Sequence, residues 1–124
     1  MLVLLDTSIL IRLAERPSLF LEELSSKLGK VDLAIPTPVL KELVQLSLAR
    51  DSTGRAAKLA LAYAESLANV ECEGAADDAL LLLAQSKGAV VATLDLDLIR
   101  RLRRLHVPVA TLQGERLELR GPFI

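Results

Sequence analysis

The chain is short of several residues on which common sites depend. Its 124 residues include one cysteine (Cys72), one histidine (His106) and no tryptophan. A single cysteine excludes an internal disulfide. One cysteine with one histidine also excludes a zinc site of the usual nitrogen and sulfur type. Any metal must be held mostly by oxygen, which favours magnesium or manganese. Aromatics are limited to Phe20, Tyr63 and Phe123, too few for a base-stacking platform of the single-strand-binding kind. No apolar run approaches the ~18 residues needed to span a bilayer, so no membrane partner is expected. No basic stretch precedes the first apolar segment, which meets an acid after four residues. A signal peptide is therefore not expected, and a cytoplasmic location follows by default. The net charge is −1, so bulk electrostatics do not announce a nucleic-acid partner.

Familiar catalytic motifs are missing as well. There is neither a Gly-x-Gly-x-x-Gly nor a Gly-x-x-x-x-Gly-Lys phosphate loop. Cys72 has no histidine near it in sequence, and Ser8 lacks the glycine elbow of hydrolases. His106, beside Val107 and Pro108, reads as a surface or turn residue. A dehalogenase-type phosphatase needs a second acid two residues after the first-strand Asp, but Thr7-Ser8-Ile9 follows Asp6. A response-regulator receiver needs its acid pair just after the first strand; here Asp77-Asp78 lies far down the chain.

What the chain does have is 52% apolar and 25% charged residues, as a globular protein should. Its length favours one domain, 1–124, able to bury a core unaided. The mean hydropathy of +0.40 hints at apolar surface left over for a partner subunit.

Apolar runs alternate with helical periodicity. Leu2–Leu5 reads as a strand. Asp6-Thr7-Ser8 caps a helix carrying Ile9, Leu10 and Leu13, which Pro17 breaks. A helix with Leu21, Leu24 and Leu28 on one face stops at Gly29. Val31–Ile35 is a strand. The next helix has Thr37 as N-cap, Pro38 at its first position and Val39, Leu43 and Leu46 as its stripe. Asp51–Gly54 reads as a loop, Arg55–Leu67 as an alanine-rich helix and Asn69–Cys72 as a short strand. A helix follows over Ala76–Ser86, closed by Lys87-Gly88, then a strand over Ala89–Thr93. The helix Asp95–Arg104 turns Leu98, Leu102 and Leu105 inward and its arginines outward. Val107–Leu112 is a core strand, and Leu117–Leu119 adds an edge strand. This alternation predicts an α/β fold, a three-layer α/β/α sandwich around a mainly parallel sheet.

The acids fall at telling places. Asp6 ends the first strand, Glu42 lies one turn into the Pro38 helix, and Asp77 and Asp78 open the helix after Gly74. Asp95 and Asp97 follow the Ala89 strand. Parallel strands all exit at one edge, where open α/β folds bind ligands, so these acids converge on one rim despite their spread in sequence. Each also has a structural reading. Asp6, Asp77 and Asp95 can cap helices, and Asp97 suits a first helical turn. Glu42 can be a solvated helix residue. Capping does not explain acids abutting fully apolar strands. Nor does it explain the adjacent pair Asp77-Asp78, which repel unless something positive neutralises them. Arg100, Arg101, Arg103 and Arg104 form a tight basic cluster that can recruit phosphates, or simply complement a helix C-terminus.

On four segments the chain resembles the PIN-domain ribonucleases. They are Asp6-Thr7-Ser8, the run from Pro36 to Leu43 with Glu42, Ala76-Asp77-Asp78-Ala79-Leu80, and the run from Ala92 to Leu98 with Asp95 and Asp97. The forms look most like the Fcf1/Utp24 subgroup and its small archaeal relatives, with VapC-type toxins as cousins. The resemblance implies a Rossmann-like sheet and a magnesium or manganese pocket. The catalytic acids would be Asp6, Glu42, Asp77 and Asp95, and Asp97 would join Asp6, Asp77 and Asp95 as a metal ligand. Asp78 is an auxiliary position, because the aliphatic residue three places after the metal-binding Asp is Leu80, which selects Asp77. Thr7, Ser8 and Thr93 would support the ligands by hydrogen bonding; Ser8 stands where Asn is common in the family. The implied activity is metal-dependent cleavage of single-stranded RNA, in RNA processing or as a toxin. RNA, a homodimer or higher oligomer and, for a toxin, an antitoxin protein are the implied partners. The arginines at 100, 101, 103 and 104 would bind RNA. A non-catalytic PIN module binding RNA or protein is the alternative.

Overall fold

The computed structural model describes residues 1–16 and 18–123. The break expected at Pro17 lies outside the described residues. Among the described residues six helices and six strands follow one another as β1 (Leu2–Leu5), α1 (Thr7–Glu15), α2 (Phe20–Leu28), β2 (Asp32–Pro36), α3 (Thr37–Ser47), α4 (Ser52–Ala64), β3 (Ala68–Val70), α5 (Ala76–Lys87), β4 (Val90–Ala92), α6 (Leu96–Arg104), β5 (Val109–Gln113) and β6 (Arg116–Arg120). The strands form one sheet in the order β3-β2-β1-β4-β5-β6. All pairings are parallel except β5 with β6. The α/β expectation from the sequence therefore holds.

The sheet's interior position explains its residues. Val3, Leu4 and Leu5 of β1 are wholly buried, as are Val91 and Ala92 of β4. A central parallel strand is covered on both faces and needs apolar residues at successive positions. α1, α3 and α4 pack on one another, while α5 lies against β1, β2 and β4, and α6 against β5. α5 also meets α3.

Several local expectations are corrected. Thr37 is not the N-cap of α3; Pro36 holds that position. The Thr37 hydroxyl instead donates towards Val70 O at 3.2 Å and Asn69 Oδ1 at 3.3 Å, tying α3 to β3. Asp51–Gly54 is not a loop. Asp51 caps α4 by accepting from Gly54 N, so the helix starts three residues earlier than composition suggests. Leu105 does not turn inward and remains 45% exposed, because α6 ends at Arg104 and the chain then turns through His106, which has a positive φ of 58°. The closure of α5 at Gly88 is as expected, with the glycine left-handed at φ 64°.

No helix among the described residues is long and apolar enough to cross a membrane.

Candidate active site

β1 and β4 are sheet neighbours, and the strand order reverses between them. Open α/β sheets bind their ligands at such a reversal. Asp6 and Asp95 leave these two strands at the same edge. The Asp6 N–H donates to Ala92 O at 3.0 Å across the junction.

Asp6 is 5% exposed and occupies the N-cap position of α1, yet its side chain caps nothing. Its Oδ2 accepts from Thr93 Oγ1 at 2.7 Å and from Ser8 Oγ at 2.9 Å. The two hydroxyls stand 3.2 Å apart. Both also accept from the β4–α6 turn: Leu94 N donates to Ser8 Oγ at 2.9 Å and Asp95 N to Thr93 Oγ1 at 3.1 Å. A buried carboxylate is costly unless hydrogen-bonded, and this network both satisfies Asp6 and fixes its orientation. Asp6 Oδ1 receives no side-chain hydrogen bond among the described residues. Thr7, beside it, has a buried hydroxyl with no partner among them.

Asp95 behaves differently. It is a true cap of α6, accepting at Oδ1 from Asp97 N at 2.9 Å and from Leu98 N at 3.2 Å. Asp77 and Asp78 fall in the first turn of α5, where acids match the positive end of the helix. The Asp77 carboxyl is pushed above its ordinary range by burial first, then by the negative charges of Asp6 and Asp95. Arg101 opposes this rise and Glu42 adds to it. Asp77 thus senses acids from three other parts of the chain, contributed by β1, β4 and α3.

The remaining candidates lie further out. Glu42, Asp78 and Asp97 are exposed. Asp97 pairs with Arg100 at 2.9 Å within α6. Asp78 pairs with Arg101 at 2.8 Å, linking α5 to α6. This pair supplies the positive charge that two adjacent acids require. Sequence spacing alone does not reveal it, since the partners are 23 residues apart. Arg103 and Arg104 are exposed and make no ion pair among the described residues.

The donors suit a hard divalent cation, being carboxylate oxygens around one partly buried acid that their own charge destabilises. Among the described residues, however, no three Asp, Glu, His or Cys side chains are drawn close enough together to hold one ion.

The fold and sequence both have counterparts. Residues 3–115 match the family model described as a PIN like domain. The structure of the PIN domain endonuclease Utp24 superposes with a TM-score of 0.77 at 24% identity, covering 98% of this chain and 92% of that one. A domain of a functionally unknown protein from Methanocaldococcus jannaschii gives 0.67 at 15% identity, covering 99% of both chains. A chain of VapBC-1 from nontypeable Haemophilus influenzae gives 0.61 at 19% identity, covering 84% of this chain and 94% of that one. No curated protein sequence matches significantly. With the family's fold over its whole sheet and the family's sequence pattern over residues 3–115, this chain belongs to the PIN-like domain family.

Proposed function

We propose that this chain is a magnesium- or manganese-dependent endoribonuclease acting on single-stranded RNA. The observation that supports it most is the hydrogen-bond network that ties Asp6 to the turn carrying Asp95 at the strand-order reversal, with Asp6, Asp95 and Glu42 all raising the Asp77 carboxyl. Asp6, Asp77 and Asp95 would hold the cation, with Asp97 as a further ligand and Glu42 completing the acidic wall. A cation bound there would lower the pKa of a water molecule and neutralise charge developing on the phosphate. The chain's own residues do the positioning. Thr93 and Ser8 hold Asp6 at Oδ2, and Oδ1, which receives no side-chain hydrogen bond among the described residues, would be available to the cation. The cap made by Asp95 fixes its carboxylate against the first turn of α6. Of the partners implied by the family resemblance, RNA is the one that the arginines of α6 support.

The test is cleavage of a labelled single-stranded RNA in manganese. The wild-type chain should cut, EDTA should stop it, and Asp6→Asn should lower the rate at least ~100-fold, as loss of a directly participating charged group does. Unchanged manganese-dependent cleavage by Asp6→Asn would sink the mechanism. A second reading, a non-catalytic PIN module, draws support from the absence of a closed three-ligand cluster among the described residues. It predicts RNA or protein binding with no cleavage and no manganese binding at millimolar concentration.

A further inference from the structure

Arg101 holds a position that no other arginine of α6 shares. Its guanidinium Nη2 lies 2.8 Å from Asp78 Oδ1 on α5, one residue from the half-buried Asp77. Arg100 turns back instead to Asp97 within its own helix. The Asp78–Arg101 side chains are 68% and 45% exposed. An exposed ion pair of this kind has little net strength, because water screens it and two long side chains must be ordered. A phosphate presents more than one acceptor oxygen and matches the planar guanidinium fork better than a single carboxylate oxygen does. The exchange of Asp78 for a phosphate therefore meets only a small barrier. The pair engages Asp78, while Asp77 beside it makes no ion pair among the described residues although the charge of Arg101 reaches it.

We infer that the Asp78–Arg101 pair is a phosphate-exchange latch: Arg101 leaves Asp78 to clamp a backbone phosphate of single-stranded RNA beside the acid site, and Asp78 parks it there when RNA is absent. The inference rests on the rim being an RNA surface, as proposed above, and assigns Arg101 to binding and Asp78 to positioning. It has an unusual sign. Removing Asp78 frees Arg101 and tightens RNA binding, whereas loss of a metal-binding acid weakens binding or cleavage. The effect must vanish once Arg101 is gone.

Binding of a fluorescent single-stranded RNA oligonucleotide is measured by anisotropy in calcium, across a series of salt concentrations, for wild type, Asp78→Asn, Arg101→Ala, Arg101→Lys and the Asp78→Asn/Arg101→Ala double variant. Asp78→Asn should bind about two- to five-fold tighter, the range set by the weakness of an exposed pair. Arg101→Ala should bind more weakly and with a salt slope lower by about 0.7, the value of one phosphate contact on a single strand. Arg101→Lys should recover part of the affinity. The double variant should match Arg101→Ala. Equal tightening by Asp78→Asn in both backgrounds would overturn the latch, since removal of any negative charge would then explain it. Manganese titration adds an independent check: Asp78→Asn should bind the ion like wild type, and a loss of manganese affinity would make Asp78 a ligand and overturn the assignment. If the ranking holds but wild type does not cleave RNA, the latch stands and the nuclease reading falls. If wild type binds no oligonucleotide, both fall.

Discussion

Asp6 shows how one residue's role is decided by its partners. In sequence it is an acid after an apolar strand, equally readable as a helix cap. In the structure it sits at the cap position and caps nothing, because Thr93 and Ser8 claim its Oδ2. Asp95, in the equivalent place after β4, does cap its helix. The Ser8 contact is local, two residues on, but the Thr93 contact joins residues 87 positions apart and is not legible in the sequence. The acids themselves are legible because the strand-to-acid junction is local. Asp77 yields a prediction at this scale. Its carboxyl is raised by burial and by its acidic neighbours. A raised carboxyl contributes stability that is fully present below its ordinary value near 3.8 and is lost as pH rises through the folded value. In EDTA, Asp77→Asn should therefore melt at a higher temperature than wild type at pH 7, with the difference fading towards pH 3. Thermal unfolding across that range reads it, and a variant less stable at pH 7 would show that Asp77 makes an attractive contact there.

At the scale of elements, the strands declared themselves wherever burial on both faces demanded unbroken apolar runs, as in β1 and β4. β3 is legible only roughly: Asn69–Cys72 reads as a short strand, whereas the strand spans Ala68–Val70, its exposed Ala68 and Asn69 held by pairing with β2. The start of α4 was hidden for a different reason. Ser52, Thr53 and Gly54 are poor helix formers, but the Asp51 cap and close packing on α3 override propensity. Gly54 is fixed by that packing: a Cβ there would run into the backbone carbonyl of Ala49. Backbone cannot move aside as a flexible side chain can, so Gly54→Ala should destabilise the fold by about 1–3 kcal/mol. Chemical denaturation measures this, and a variant as stable as wild type would mean that the α3–α4 junction is looser than described. Thr is a good N-cap in isolation, but the Thr37 hydroxyl serves β3 instead.

At the scale of the whole molecule, sheet order does what sequence order cannot. Alternating strands and helices predict a parallel sheet, and a parallel sheet puts every acid-bearing junction on one rim. Which junctions become neighbours depends on the crossover that returns from edge strand β3, by way of α5, to β4 beside β1. That step brings the Asp95 turn beside Asp6 and α5, with Asp77, within reach of the charge of both, and no feature within the strands reveals it. The central claim is that these acids form one cation site. Calorimetric titration of manganese into wild type, Asp6→Asn, Glu42→Gln, Asp77→Asn and Asp95→Asn tests it directly. Wild type should bind saturably at millimolar concentration or tighter, Asp6→Asn, Asp77→Asn and Asp95→Asn at least tenfold more weakly, and Glu42→Gln with a smaller loss. Absence of binding to wild type, or undiminished binding by the Asp6 and Asp95 variants, would contradict it.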